Sequence, residues 1–237
     1  MRTNFAIISP GRCGSNHLAS MLNSHGNILC HGELFGAEKI SFAGENRLRI
    51  DNIKLRNKFP YLFTKYHYLI ERNYSAVGFR LLLDQNEELL EKLVHDKGVK
   101  KIFLLRRNEL RRVTSAKLAE KSQIWHLKEN EERPKNKINI DINKFIEEYE
   151  WLERQLKKYF AIIEKTKQNY LCIYYEDLNK EDSLNKIQLF LKVPKRGLSS
   201  QFIKQNPESL EELIENFSEL ESAFVGTKLE WMLEARR

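Results

Sequence analysis

Short apolar runs alternate with stretches of helical period along most of the chain, and the two patterns divide it into strands and helices. Phe5 to Ser9, with Ile7 and Ile8, is an apolar run bounded by Pro10 and Gly11; it predicts a buried strand ending in a turn. Leu18, Met21 and Leu22 then share one face of a helix for which Ser15 and Asn16 are natural N-cap residues. Beyond the polar connection Asn23 to Asn27, Ile28 to Cys30 predicts a second strand, Ser75 to Leu83 (SAVGFRLLL) a third, and Lys100 to Leu105 a fourth that runs into Arg106 and Arg107. Asn169 to Leu178 reads as a further strand. Helical spacing recurs in Glu87 to Lys97, in a long segment from Asp141 through Ile163 with Asp141 as its cap, in Ser183 to Leu191 before Pro194, and in the acidic C-terminal stretch through Leu210, Leu213, Ile214 and Phe217.

Two stretches break the alternation. Glu38 to Asn73 is rich in Lys, Arg, Phe and Tyr and gains a helical period only from about Leu55, through Phe59, Leu62, Phe63, Tyr66 and Ile70, with Pro60 interrupting it. Basic residues interleaved with aromatics can bind single strands of nucleic acid, but a wall of an acceptor site or a core-facing helix is the preferred reading. Gln123 to Asn139 is polar and irregular, with Trp125, His126 and Pro134. A loop of that length in a compact domain is usually functional, and it is expected to cover a substrate unless Trp125 merely pins it to the core.

Composition narrows the class. With 237 residues, 41% hydrophobic and 31% charged, the chain can bury one sizeable α/β core, and a single domain over residues 1–237 is expected. No apolar run is long enough to span a bilayer, and Met1 passes almost directly into the first strand without room for a signal peptide, so the expectation is a soluble, cytoplasmic protein. Cys13, Cys30 and Cys172 are an odd, scattered set with no CxxC pair, which fits a reducing compartment and speaks against a disulfide framework or a zinc site. The net charge of +7 favours an anionic partner, whether nucleotide, nucleic acid or acidic polysaccharide.

The candidate chemistry gathers around the first strand. A glycine-bearing loop between a strand and a helix presents backbone N–H groups and the positive end of the helix dipole, and Arg12 and Ser15 add a charge and a hydroxyl. The plain alternative is an ordinary strand-to-helix turn in which Gly11 and Gly14 supply unusual backbone angles. The loop is not a nucleotide-triphosphate loop, because Gly14 is followed by Ser15 and Asn16 rather than by Lys and Ser or Thr. Cys13 has a weak case as a nucleophile, since a small residue there need only let the backbone approach its ligand. Glu33, just past the second strand, is the general-base candidate, with His31 as its rival and a solvated loop glutamate as the plain reading. Arg106, Arg107, Arg111 and Arg112 are either a solvated basic helix start or a second anion site, which could also serve an acidic acceptor.

The motif P-G-R-C-G-S-N-H-L resembles the phosphosulfate-binding loop of the sulfotransferases that use 3′-phosphoadenosine 5′-phosphosulfate (PAPS). IFLLRRNELRRVTSAKLA resembles the part of that family in which a strand ends in Arg and a Ser lies eight residues beyond it. Arg107 and Ser115 stand at that spacing, with Asn108 where the family usually has Asp. Gly32-Glu33 is similar to the Gly-Glu of tyrosylprotein sulfotransferases, Tyr-Glu-Asp-Leu from Tyr175 recurs in bacterial and Golgi members, and SLEELIENFSELESAFVGT resembles the tail of bacterial carbohydrate-type members.

The resemblance implies an α/β fold with a mostly parallel central sheet flanked by helices, similar to the P-loop nucleotide kinases. It also implies PAPS as co-substrate. The phosphosulfate would lie against Arg12, Cys13, Gly14, Ser15, Asn16 and His17, the 3′-phosphate against Arg107 and Ser115, and Tyr175 would help hold the nucleotide. Glu33 would take the proton of an acceptor hydroxyl, Arg12 would stabilise the leaving phosphate, and 3′-phosphoadenosine 5′-phosphate would be released without any metal. A carbohydrate or glycolipid acceptor is expected, and no nucleic acid. The alternatives are a P-loop-like small-molecule kinase, which the missing loop Lys and magnesium carboxylate oppose, and a non-catalytic polyanion binder using the basic surface.

Overall fold

Strand β1 (Thr3–Ser9) lies at the centre of a five-stranded parallel sheet of order β2-β3-β1-β4-β5, with β2 at Ile28–Glu33, β3 at Ala76–Leu82, β4 at Val99–Leu105 and β5 at Tyr170–Tyr174. The computed structural model describes residues 2–127, 131, 136–203 and 205–234; Pro134 and the middle of the loop expected to cover a substrate lie outside them, as does Met1. The parallel arrangement explains the near-continuous apolar runs: a strand covered on both faces has no polar side to show, and Phe5, Ala6, Ile7 and Ile8 are all fully buried. From β1 the chain goes to β2 at one edge of the sheet, and from β4 it goes to β5 at the other. The direction therefore reverses beside β1, where open α/β sheets bind ligands at the carboxyl ends of their strands.

The chain divides into two compact units, residues 1–105 with 159–200 and residues 106–158 with 201–237. The first contains the sheet. On one face Phe5, Ile7, Ile102 and Leu104 pack with Leu18 and Leu22 of α1 (Ser15–Asn23) and with Ile187 and Leu191 of α7 (Glu181–Leu191). On the other face Tyr68 of α3 (Pro60–Ile70) lies against Phe79, their ring centroids 6.0 Å apart, and its hydroxyl donates to the Phe5 carbonyl at 2.7 Å. The expected break at Pro60 is real: α2 (Ile53–Lys58) ends and Pro60 opens α3, where its missing N–H would have no helical partner anyway. Helix α4 (Glu87–His95) is capped by Asn86, whose side chain accepts from the Leu89 N–H at 2.8 Å.

The second unit is helical. Helices α5 (Glu109–Ser122), the first part of α6 (Ile142–Lys165), α8 (Leu210–Leu213), α9 (Phe217–Phe224) and α10 (Trp231–Glu234) surround Leu110, Phe145, Leu220, Phe224 and Met232. Asp141 caps α6 by accepting from the Lys144 N–H at 3.0 Å, as expected, and Ser209 with Glu212 forms a reciprocal capping box on α8. Ile138 forms an isolated bridge with Ile214, its N–H donating to the Leu213 carbonyl at 2.9 Å, and ties the end of the irregular loop to this unit. Trp125 is 46% exposed, so its indole is not sunk in the core.

Candidate active site

The loop after β1 departs from the expected capping. Gly14, not Ser15 or Asn16, is the N-cap of α1, in a left-handed conformation (φ 81°) and without a side-chain cap, while Ser15 is the first helical residue. Arg12 is also left-handed (φ 66°). The other described non-glycine residues with positive φ are Gln123, Lys167 and Lys192, all at or just past helix C-termini, where that conformation is ordinary. Arg12 precedes a helix instead, so its strain belongs to the loop's own shape. Gly14 is required for a second reason. A Cβ there would lie 2.5 Å from Cδ2 and 2.9 Å from Cε2 of Tyr175, whose ring is packed flush against the loop from the 3-10 turn that follows β5. His17 is tied to the same segment, with Nε2 3.1 Å from Oδ1 of Asn179. Cys13 is fully buried in the core beneath the loop, so its thiol is out of reach of a substrate and only its backbone can serve a ligand.

Glu33 is brought to this loop by a residue that the sequence reading passed over. Arg80, buried near the end of β3, donates from Nη1 to Ser15 Oγ at 3.1 Å, and the same nitrogen stands 3.3 Å from Glu33 Oε1. Gln85 donates to Glu33 Oε2 at 2.6 Å, and its own carbonyl oxygen accepts from the Leu82 N–H, which fixes the amide's orientation. Burial lowers the Arg80 pKa from its ordinary value and the Glu33 carboxylate opposes that shift; an arginine so placed still carries its charge at neutral pH. Nε of Arg80 and Oγ of Ser9, both buried at the carboxyl ends of neighbouring strands, have no hydrogen-bond partner.

A bulge aims the carboxylate. His31 pairs with Phe79 and Glu33 with Arg80, so β2 uses three residues against two of β3, with Gly32 as the extra one. Side chains at paired positions of a ladder share a face, and without the bulge Glu33 would point the same way as His31. Gly32 is the only residue type that fits: a Cβ there would lie 2.7 Å from Cβ of Ser41 and 3.5 Å from Nη2 of Arg80. Glu33 is thus the last residue of β2 rather than a loop residue beyond it.

His31 faces the other side of the sheet. It is 1% exposed, edge-on to Phe42 at 5.6 Å, and its Nδ1 accepts from the Ala43 N–H at 3.3 Å. Its Nε2 is 3.7 Å from Glu71 Oε1, beyond hydrogen-bond range, and Glu71 is engaged by Arg49 at 2.7 Å. Burial, with Arg49 and His67 nearby, lowers the imidazole pKa to about 3, so it is neutral at physiological pH.

In the second unit Arg107 is exposed and Ser115 is buried on α5, with Asn206 Nδ2 3.4 Å from its Oγ. Of the neighbouring cations, Arg111 donates to the Glu208 carbonyl at 3.0 Å and Arg112 pairs with Glu109. Asn108, the departure from the family pattern, is 3% exposed and caps α5: its carbonyl oxygen accepts from the Arg111 N–H at 2.9 Å while its amide donates to the Met232 carbonyl at 2.7 Å. A carboxylate could make the first bond but not the second. Arg196 donates to the His25 carbonyl at 3.2 Å, at the far end of α1 from the loop.

The Glu33 carboxylate is thus linked through the buried Arg80 to the turn after β1, beside the point where the order of the parallel sheet reverses. Residues 2–222 match the family defined by the sulfotransferase domain, and the chain belongs to that family. Nodulation protein H of Rhizobium tropici is 26% identical over 231 residues, 94% of this chain and 89% of that protein. Nodulation protein H of Rhizobium meliloti (strain 1021) is 27% identical over 124 residues; the chain spans about half of that relative's length, 49%, in the match. The crystal structure of a sulfotransferase from Alicyclobacillus acidocaldarius covers 99% of this chain and 96% of its own at 15% identity, with a TM-score of 0.48.

Proposed function

We propose that the protein transfers the sulfuryl group of PAPS to a hydroxyl of a carbohydrate or glycolipid. The observation that carries this reading is the Arg80 guanidinium, which joins the donor loop, through Ser15, to the candidate base Glu33. The phosphosulfate fits the turn from Arg12 to His17, whose left-handed Arg12 and Gly14 curl the backbone ahead of an α1 terminus with no side-chain cap, with the Tyr175 ring as one wall. The resemblance assigns the 3′-phosphate to Arg107 and Ser115.

In the proposed step Glu33 accepts the proton of the acceptor hydroxyl as its oxygen bonds to sulfur. The bond between sulfur and the bridging oxygen of the 5′-phosphate breaks in line, and its electron pair leaves with 3′-phosphoadenosine 5′-phosphate. Arg12, the loop N–H groups and the Ser15 hydroxyl stabilise charge growing on that leaving oxygen, and Arg80 orients the carboxylate. A base so positioned contributes about 10² to 10⁴-fold. The chain's own residues suffice for each of these roles, so no metal enters the proposed step. A reducing, cytoplasmic setting is supported by three free cysteines, Cys13, Cys30 and Cys172.

Labelled sulfate transfer from PAPS into fractionated glycans and lipids tests the reading, with labelled ATP in parallel. Label passing from PAPS to a hydroxyl-bearing glycan or glycolipid is the expected result; phosphoryl transfer from ATP instead would replace it with the kinase reading.

A further inference from the structure

The proposed transfer step assigns no residue to the segment rich in Lys, Arg, Phe and Tyr, yet this segment builds an unusual surface. One face of α3 is buried through Pro60, Phe63, Thr64, His67 and Tyr68. The opposite face carries Phe59, Leu62, Tyr66 and Leu69 at steps of three and four residues, so they form one continuous stripe. Phe59, Leu62 and Leu69 are 43%, 66% and 60% exposed. The Tyr66 hydroxyl donates to the Leu48 carbonyl at 2.6 Å, which sets Leu48, itself 62% exposed, beside the stripe. Of the eleven large apolar side chains exposed among the described residues, five lie between Leu48 and Leu69. Single exposed leucines need no explanation, but a connected group does.

The charges around the stripe have one predominant sign. Lys58 adjoins it, with Nζ 5.3 Å from the Phe59 ring centroid, Lys54 is one turn earlier on α2, Arg47 precedes Leu48, and Arg72 follows α3; all four are exposed. Against them stand exposed Glu45 and Asp51, while Glu71 is buried on Arg49. Leu48, Leu62 and Leu69 each stand more than half exposed, so the stripe is a ridge of protruding leucines. A ridge of that kind has no rigid pocket to match, but it can enter a fluid acyl layer while basic neighbours meet phosphates.

We propose that the α2–α3 face docks on an anionic lipid bilayer, with Leu48, Leu62 and Leu69 entering the boundary between head groups and acyl chains. The face is joined to the transfer site by Arg56. Its buried guanidinium leaves α2 and donates to the carbonyls of Leu34 at 3.1 Å and Gly36 at 2.7 Å, the chain that emerges directly from Glu33. Docking there holds the candidate base close to a lipid surface, where a lipid-borne acceptor would be met.

The test is co-sedimentation with vesicles of phosphatidylcholine alone and of phosphatidylcholine mixed with phosphatidylglycerol, without nucleotide, so that its outcome is independent of the transfer reading. Binding to the mixed vesicles only, weakened by salt and reduced about tenfold in Leu62→Gln/Leu69→Gln, is expected. The double variant should keep the wild-type thermal midpoint, since both side chains face solvent. Lys54→Glu/Lys58→Glu should reduce binding as well. Equal binding to both vesicle types, no binding, or binding untouched by the leucine substitutions would overturn the proposal. So would a concentration-dependent dimer in sedimentation velocity that the leucine substitutions disperse, because the face would then belong to a second copy of the chain.

Discussion

Arg80 Nη1 stands 3.3 Å from Glu33 Oε1 and, with the same nitrogen, donates to Ser15 Oγ at 3.1 Å. A single buried donor thus serves the candidate base and the candidate donor loop together. Glu33→Gln keeps the shape of the side chain and removes its capacity to take a proton. Turnover should fall by about 10² to 10⁴-fold with binding of 3′-phosphoadenosine 5′-phosphate retained by calorimetry. Wild-type turnover in the variant would remove Glu33 from the role. Arg80→Met, which touches both partners, should lower turnover and nucleotide affinity together.

The bulge at Gly32 makes a separate prediction, because it turns Glu33 toward Arg80 without touching any ligand. Gly32→Ala places a Cβ 2.7 Å from Cβ of Ser41, so the bulge must shift. Turnover should drop while affinity for 3′-phosphoadenosine 5′-phosphate is unchanged; a variant as fast as the wild type would show that the bulge does not aim the base.

Restoring the family's usual residue should harm this chain. Asn108→Asp keeps the cap on Arg111 but sets a carboxylate against the Met232 carbonyl, 2.7 Å from the present donor. Leaving that buried acceptor unpaired should destabilise by about 1 to 3 kcal/mol, a fall in thermal midpoint of about 2 to 4 °C per kcal/mol for a chain of this size. An unchanged midpoint would mean that the Met232 bond contributes nothing.

His31 sets a pH dependence. Its pKa is lowered to about 3 in the folded protein, mainly by burial, against an ordinary value near 6.5 in the unfolded chain. Between those values the unfolded chain binds a proton that the folded one refuses, so this contribution is present above pH 6.5 and is lost as the pH falls toward 3. His67, also lowered chiefly by burial, acts in the same sense. Urea unfolding at pH 7.5 and 5.5, a range in which few carboxylates titrate, should show the wild type losing stability. His31→Gln should lose less, and an identical loss in both would contradict the assignment.

The strands, most helices and the turn between β1 and α1 were legible because each is written locally, in apolar runs, helical spacing and the Pro-Gly boundary at residues 10 and 11. What was missed depends on pairs of distant residues. Arg80 lies in SAVGFRLLL, and a charge inside a strand buried on both faces was itself a signal, since it needs a partner to be there at all. The bulge at Gly32 could not be read, because register belongs to two strands and is absent from either alone. Asn108 looked like a lost carboxylate until Met232, 124 residues away, supplied the carbonyl that an amide can reach and a carboxylate cannot. The N-cap is Gly14, ahead of both Ser15 and Asn16, and Ser15, which has the chemistry of a cap, instead accepts from Arg80 through its hydroxyl.

The most direct test of PAPS as donor compares 3′-phosphoadenosine 5′-phosphate with adenosine 5′-phosphate by calorimetry, on the wild type and on Arg107→Ala. If Arg107 receives the 3′-phosphate, the wild type binds the first ligand more tightly, and Arg107→Ala reduces that affinity toward the second ligand's while leaving the second unchanged. Equal affinity of the wild type for both ligands, or a preference that survives in Arg107→Ala, would contradict it.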